Sequence, residues 1–76
     1  MKHLPIVSGK DVVRALGRAG YSLIRQRGSH VRMRKKLSTI TLNVTIPLHD
    51  EIDRTTLASI LKAAELSDDE FMDFLK

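Results

Sequence analysis

The feature that most restricts the fold of this chain is an alternation of polar and apolar residues over positions 39–46. Successive side chains of a β-strand point to opposite faces of a sheet, so the alternation predicts a strand with one apolar face. Pro47 has no N–H to donate to a neighbouring strand and is predicted to end it. The apolar face needs a covering layer, and the polar face is left to water or a ligand. The alternating residues are Thr39, Ile40, Thr41, Leu42, Asn43, Val44, Thr45 and Ile46.

Two earlier segments predict further strands. Residues 21–26 alternate imperfectly, residues 27–29 contain a Gly-Ser pair typical of a turn, and residues 30–34 alternate again. We interpret Lys35-Lys36 as the next turn. Three strands joined by short turns predict an antiparallel meander. Val31 and Met33 share one face of the second strand, and His30, Arg32 and Arg34 share the other.

Three helices are predicted from their start signals. Ser8 and Asp11 form a weak capping box, and Gly20 is a typical residue after a helix end. Asp53 is a plausible N-cap for a second helix, and residues 67–70 form a strong capping box for a short third one. The side chains predicted to be buried are Val12, Val13, Leu16 and Ala19, then Leu57, Ile60, Leu61 and Ala64, and finally Phe71, Phe74 and Leu75.

These elements predict a single α+β domain over residues 1–76. Its order is α-β-β-β-α with a short C-terminal helix, in which amphipathic helices cover one face of a three-stranded antiparallel sheet. This is also the element order of double-stranded RNA-binding domains. The chain has no cysteine, no apolar run long enough to cross a bilayer, and too short an apolar N-terminal segment for a signal peptide. We therefore expect a cytoplasmic protein that does not enter a membrane.

The charge is divided unevenly along the chain. Residues 1–36 contain ten Lys and Arg against the single acid Asp11, a formal charge of +9, whereas residues 37–76 have a formal charge of −5. Such asymmetry favours a polyanionic partner for the first half. An accidental imbalance on an ordinary charged surface is the alternative.

Few residues are candidates for chemistry. The chain contains no glycine-rich phosphate loop and no nucleophile elbow. Its carboxylates gather around positions 50–53 and 68–70, where helix capping explains them. Three scattered histidines lack the spacing of metal ligands, so we predict no metal or cofactor.

His30 is the best catalytic candidate. Its neighbours Arg27, Arg32 and Arg34 would attract a phosphodiester, and its imidazole would then be within reach of a ribose 2′-OH. An exposed histidine without catalytic work is the plain alternative. His49 is interpreted as a loop residue, and His3 gives no signal.

The basic residues around His30 are predicted to bind RNA through its phosphates. Tyr21 is expected to be partly exposed and the two phenylalanines to be core, so base stacking on aromatic rings is not expected. Binding should therefore depend strongly on salt. The predicted RNA-binding residues are Lys10, Arg14, Arg27, Ser29, Arg32, Arg34, Lys35 and Lys36.

Four segments of the chain carry a resemblance to a known family. They are residues 8–13 (SGKDVV), 20–30 (GYSLIRQRGSH), 46–49 (IPLH) and 56–62 (TLASILK). Together they resemble the HicA (YcfA-like) toxin family of type II toxin–antitoxin systems, and Gly28-Ser29-His30 in the second segment is similar to the signature of that family. The resemblance covers about residues 7–66.

The resemblance implies a fold similar to a double-stranded RNA-binding domain and an endoribonuclease that cleaves mRNA. His30 would be the catalytic histidine, and a HicB-type antitoxin would neutralise the toxin and supply any contact with DNA. Two departures affect the second helix: Arg54-Thr55-Thr56 stands where a Gly usually precedes the Thr, and Glu65 stands where a Gly usually ends the helix. The acidic segment 67–76 is less typical of the family.

Three classes of function remain open from the sequence. The first is a metal-independent endoribonuclease toxin, which we favour. The second is a non-catalytic RNA-binding module with the same fold. The third is a protein-interaction subunit whose basic face docks an acidic partner, and it predicts no affinity for RNA.

Overall fold

A computed structural model describes residues 4–76, so His3 lies outside the described residues. It confirms the predicted α+β fold, with the three strands in the order β1-β2-β3 in one antiparallel sheet. None of the helices in this part of the chain is long and apolar enough to cross a membrane. The elements are α1 (Gly9–Arg18), β1 (Ser22–Arg27), β2 (His30–Lys36), β3 (Thr41–Pro47), α2 (Arg54–Ala64) and α3 (Asp68–Leu75).

The three predicted helix starts are confirmed. Ser8 caps α1 and Ser67 caps α3, each in a two-way capping box with the acid three residues later. Asp53 caps α2, where its carboxylate accepts a hydrogen bond from the Thr56 N–H at 3.1 Å. Polar side chains thus satisfy N–H groups that have no partner inside each helix. Gly20 follows the end of α1 with a φ of +102°, as its position predicted.

The helices cover the apolar face of the sheet. Val31, Met33, Val44 and Ile46 are each at most 3% exposed, and Phe71 brings α3 into the same core with no exposed surface. The core is less complete than predicted at its margin, because Val13, Phe74 and Leu75 are only half-buried. The helix-free face of the sheet is open to solvent, and we call it the open face.

Gly9 explains how closely α1 approaches the sheet. Its amide N–H donates to the carbonyl oxygen of His49 at 2.9 Å. A Cβ at this position would lie 2.2 Å from the carbonyl oxygen of Pro47, which is closer than atoms can approach without moving the backbone. The first turn of α1 therefore rests directly on the end of β3, close to the hairpin that begins β2.

The prediction of a turn at Lys35-Lys36 is wrong. Both residues belong to β2, where Lys35 pairs with Leu42 and Lys36 with Thr41. The turn lies after them and is closed by the Leu37 N–H, which donates to the Ile40 carbonyl oxygen at 2.8 Å. A Lys pair has none of the features that favour a turn, and its backbone groups can join a ladder like those of any other residue.

The expectation that Tyr21 is partly exposed is also wrong. Tyr21 is only 4% exposed and lies one residue before β1. Its hydroxyl donates a hydrogen bond of 2.8 Å to the carbonyl oxygen of Ala64 at the end of α2. Burial raises the pKa of the phenol, and the nearby Glu65 carboxylate raises it further. Tyr21 is thus a core residue whose polar end is satisfied.

Candidate functional site

The strand register decides which side chains share the open face. Residues directly opposite one another in an antiparallel pair point to the same side of the sheet. The first row across the sheet is Arg27, His30 and Pro47. Behind it lies a second row of Arg25, Arg32 and Thr45, and then a third of Ser22, Arg34 and Asn43.

A tight hairpin positions His30 at the start of β2. Gly28 has a φ of +58°, a conformation that costs L-residues with a side chain, so glycine suits the position. The side-chain amide of Gln26 donates to the Gly28 carbonyl oxygen at 3.2 Å. The Ser29 carbonyl oxygen accepts a hydrogen bond of 2.6 Å from the Leu48 N–H, which ties the hairpin to the segment after β3. Hydrogen bonds therefore fix the backbone before His30, at Ser29, and the sheet fixes it after His30.

Arg25 is a site residue that the sequence reasoning missed. A β-bulge lies between Leu23 and Arg25, so Leu23 pairs with the inward-facing Met33 while Arg25 pairs with the outward-facing Arg32. Without a bulge, Leu23 and Arg25 would share a face. The signal in the sequence was that Arg25 lies two residues before Arg27, the spacing of side chains on one face of a strand. The imperfect alternation of this segment obscured it. A shallow pocket brings Arg25, Arg27 and Arg32 together with His30 and Thr45.

The open face has the same sign of charge throughout. Arg25, Arg27, Arg32, Arg34 and Lys36 lie on it, and none of the three strands contains an Asp or Glu. Arginine presents several donors in a planar fork that suits phosphate oxygens. This arrangement favours a polyanion, and it surrounds His30 with cations on two rows of the sheet.

Lys35 lies on the opposite face from His30. It is half-buried, and its ammonium donates a hydrogen bond of 2.8 Å to the Ala19 carbonyl oxygen at the end of α1. The same ammonium lies 5.8 Å from the centre of the Tyr21 ring. Its predicted place on the basic surface around His30 is therefore wrong, because in a strand its side chain must point away from those of Arg34 and Lys36.

Lys10 and Arg14 do not lie on the open face either. They lie on α1, beneath the β1 edge, in a groove shared with the inward-facing Leu23 and Gln26. Arg14 also forms an ion pair with Asp11. The structure thus places five of the eight predicted RNA-binding residues on the open face or its hairpin, namely Arg27, Ser29, Arg32, Arg34 and Lys36.

His49 occupies the loop between β3 and α2. The Asp53 carboxyl accepts hydrogen bonds from the side chain and the backbone of Thr56, and these lower its pKa most. Its own backbone N–H and the nearby His49 lower the pKa further. Within residues 4–76, no three His, Cys, Asp or Glu side chains lie close enough together to bind a metal ion.

A protein-family comparison adds an independent observation. The model of a family described as the HicA toxin of bacterial toxin–antitoxin systems matches residues 9–66. The chain belongs to the HicA toxin family. A search of curated proteins found no match. Membership in the HicA family gives the chain the role of a toxin and implies an antitoxin as its partner.

The match to the HicA family ends at residue 66, immediately before the capping box of α3. Arg18 links α3 to the matched region, because its guanidinium donates a hydrogen bond of 2.7 Å to the Phe74 carbonyl oxygen. Glu65, at the departure noted in the second helix, adopts the left-handed conformation with a φ of +56° and a ψ of +41°.

Proposed function

We propose that this HicA toxin is an mRNA interferase, an endoribonuclease that cleaves mRNA and thereby inhibits translation, with His30 as its catalytic residue. The observation that carries the proposal is the position of His30. Its exposed imidazole begins β2 on a sheet face that has five cations and no acid in its strands. A phosphate attracted to this face would lie among guanidinium groups and beside an imidazole, a group that commonly acts as a general base.

The chemistry follows from these groups. The neutral imidazole of His30 removes the proton of a ribose 2′-OH while the 2′-oxygen attacks the adjacent phosphorus. The bond from phosphorus to the 5′-oxygen of the next nucleotide breaks, and that oxygen takes up a proton from a water molecule as it leaves. The products are a 2′,3′-cyclic phosphate and a 5′-hydroxyl end. Arg25, Arg27 and Arg32 are proposed to stabilise the negative charge that builds up on the phosphate oxygens.

The proposal includes a partner and a compartment. A HicB-type antitoxin would neutralise the toxin by covering the open face and denying RNA access to His30. Any contact of the complex with DNA would come from the antitoxin. Since the substrate is mRNA, the protein would act in the cytoplasm.

Incubating the purified chain with end-labelled RNA in EDTA tests the reaction class. The proposal predicts cleavage without divalent metal and fragments that carry a 2′,3′-cyclic phosphate. RNA in which the ribose before a cleaved linkage is 2′-deoxy should resist cleavage at that linkage only. RNA that is bound but stays intact would instead support the non-catalytic RNA-binding module, and failure to bind RNA at low salt would support a protein-interaction subunit.

A further inference from the structure

We propose that the end of the open face farthest from His30 is a second nucleotide subsite, which we call the distal subsite. It comprises Ile24, Arg34 and Lys36, and it would bind one base and one phosphate of single-stranded RNA, several nucleotides from the linkage at His30. This inference rests on the proposed function, since it concerns the same substrate. It assigns a role to Ile24, which no argument about catalysis uses.

The bulge in β1 places Ile24 in this subsite. Leu23 and Arg25 pair with consecutive residues of β2, so Ile24 between them has no position in the regular ladder. Its side chain is 41% exposed and lines a pocket with Arg34 and Lys36. Bulges commonly redirect a side chain near a functional site. Here the result is an apolar surface on a face whose other long side chains are all basic.

Arg34 is restrained by a hydrogen bond to a neighbouring side chain of the open face. Its Nε donates a hydrogen bond of 3.1 Å to Oδ1 of Asn43, its neighbour in the third row. This bond restrains the plane of the guanidinium and uses only one of its three nitrogens. A guanidinium plane stacks well on a nucleobase, and an isoleucine side chain offers the apolar contact on which a base can rest. Lys36 adds a point charge suited to a phosphate.

The distance between the two sites suits one continuous strand of RNA. Residues rise about 3.3 Å each along a strand, so Arg34 lies about 13 Å and Lys36 about 20 Å from His30 along β2. Arg25 and Arg32 occupy the row between them and would bind intervening phosphates. The charge on the path argues for a polyanion, and the apolar contact beside Arg34 argues for an exposed base, which a duplex would keep paired.

Affinity as a function of RNA length tests the distal subsite. The full-length His30→Ala variant would be titrated with fluorescent single-stranded oligoribonucleotides, from a dinucleotide to an octanucleotide. Affinity should rise with length and then level off once the distal subsite is filled. Adding either Ile24→Ala or Arg34→Ala should weaken octanucleotide binding about tenfold or more, the size expected for the loss of one stacked base, and should weaken dinucleotide binding by a smaller factor.

Two further variants make the test specific. Ile40→Ala removes an equally apolar side chain that is 50% exposed but lies before β3, outside the open face, so octanucleotide binding should not change. Arg34→Lys keeps the charge and loses the planar group, so it should lose most of the affinity that Arg34→Ala loses. Thermal unfolding of each variant confirms that it is folded.

Three results of the binding experiments would overturn the distal subsite. One is equal affinity for the dinucleotide and the octanucleotide. Another is wild-type octanucleotide binding by the Ile24 and Arg34 variants. The third is a loss of antitoxin binding alone, which would make this end of the face a protein contact. Cleavage by the wild-type chain is a separate measurement. If RNA is cut at a rate that does not depend on its length, the distal subsite is refuted. If binding depends on length but no RNA is cut, the subsite is supported and the proposed nuclease activity is refuted.

Discussion

His30 is an exposed residue, so its position depends on its backbone and not on packing of its own side chain. Gly28 adopts the positive φ that lets the chain reverse within two residues. The Ser29 carbonyl oxygen is bonded to the Leu48 N–H, and Pro47 faces His30 in the ladder. A catalytic histidine needs an accessible imidazole at a fixed place. The hairpin provides both.

Glu65 is a residue under local strain. It ends α2 in the left-handed conformation, which disfavours residues with a Cβ, and its negative charge lies at the negative end of the helix dipole. Its backbone N–H still closes the helix by donating to the Leu61 and Lys62 carbonyl oxygens. Glycine would make the same hydrogen bonds without the steric cost.

Glu65→Gly should therefore stabilise the protein, by up to about 1 kcal/mol, since the relieved strain exceeds the added flexibility of the unfolded chain. Urea-induced unfolding measures the change. Glu65→Ala is the matched control, because it removes the charge and keeps the Cβ. Equal stability of the Gly and Ala variants would show that the backbone conformation is not the cause.

Each helix start depends on a carboxylate, which lies in the first turn of α1 and α3 and at the N-cap of α2. Hydrogen bonds from the Ser8 backbone and hydroxyl lower the pKa of Asp11, and those from Ser67 do the same for Glu70. Hydrogen bonds from Thr56 lower the pKa of Asp53. A carboxyl whose pKa is lower in the folded state stabilises the protein above its unfolded pKa, and this stability is lost as the pH falls through the folded value.

We therefore expect the melting temperature to be level near neutral pH and to fall below about pH 4, the ordinary pKa range of these carboxyls. Replacing Asp11 by Asn and Glu70 by Gln should lower the melting temperature at pH 7 and reduce its further loss in acid. Asp73→Asn, away from a helix start, is the control. An acid transition that is identical in the capping variant and wild type would contradict this explanation.

Strand β2 separates two lysines that are adjacent in sequence. Lys35→Met should lower the free energy of unfolding by about 1 kcal/mol, because it removes the hydrogen bond to the end of α1, and should leave RNA affinity unchanged. Lys36→Met should weaken RNA binding and leave the free energy of unfolding unchanged, since Lys36 is exposed on the open face. Chemical denaturation and RNA titration distinguish the two. Weaker RNA binding by the Lys35 variant would mean that the RNA reaches around the sheet.

At the scale of the whole molecule, the sequence predicted the architecture because its signals are local. The alternation at positions 41–46 and the three helix caps each involve residues a few positions apart, and the structure confirms them. The first two residues of the predicted alternation lie before β3, where Ile40 is 50% exposed instead of facing the core. The sequence failed where a residue's environment comes from distant parts of the chain. Tyr21 is buried, and its hydroxyl donates a hydrogen bond to Ala64 at the end of α2. Lys35 donates a hydrogen bond to the end of α1.

The site was predicted in part for the same reason. His30 and its neighbours in β2 alternate within one strand, so their common face could be predicted from the sequence. Arg25 joins them only through the register of β1 against β2, which a bulge shifts. Lys10 and Arg14 are four residues apart in the sequence, and only the packing of α1 beneath the sheet shows that they lie off the open face.

The catalytic role of His30 can be tested by single-turnover cleavage with the His30→Ala variant, with excess protein over labelled RNA and binding measured in parallel. If His30 is the general base, the cleavage rate should fall by at least about a hundredfold, the usual contribution of such a group, with RNA affinity and melting temperature close to those of the wild type. Cleavage at the wild-type rate by the folded variant would contradict the assignment of His30 as the catalytic residue.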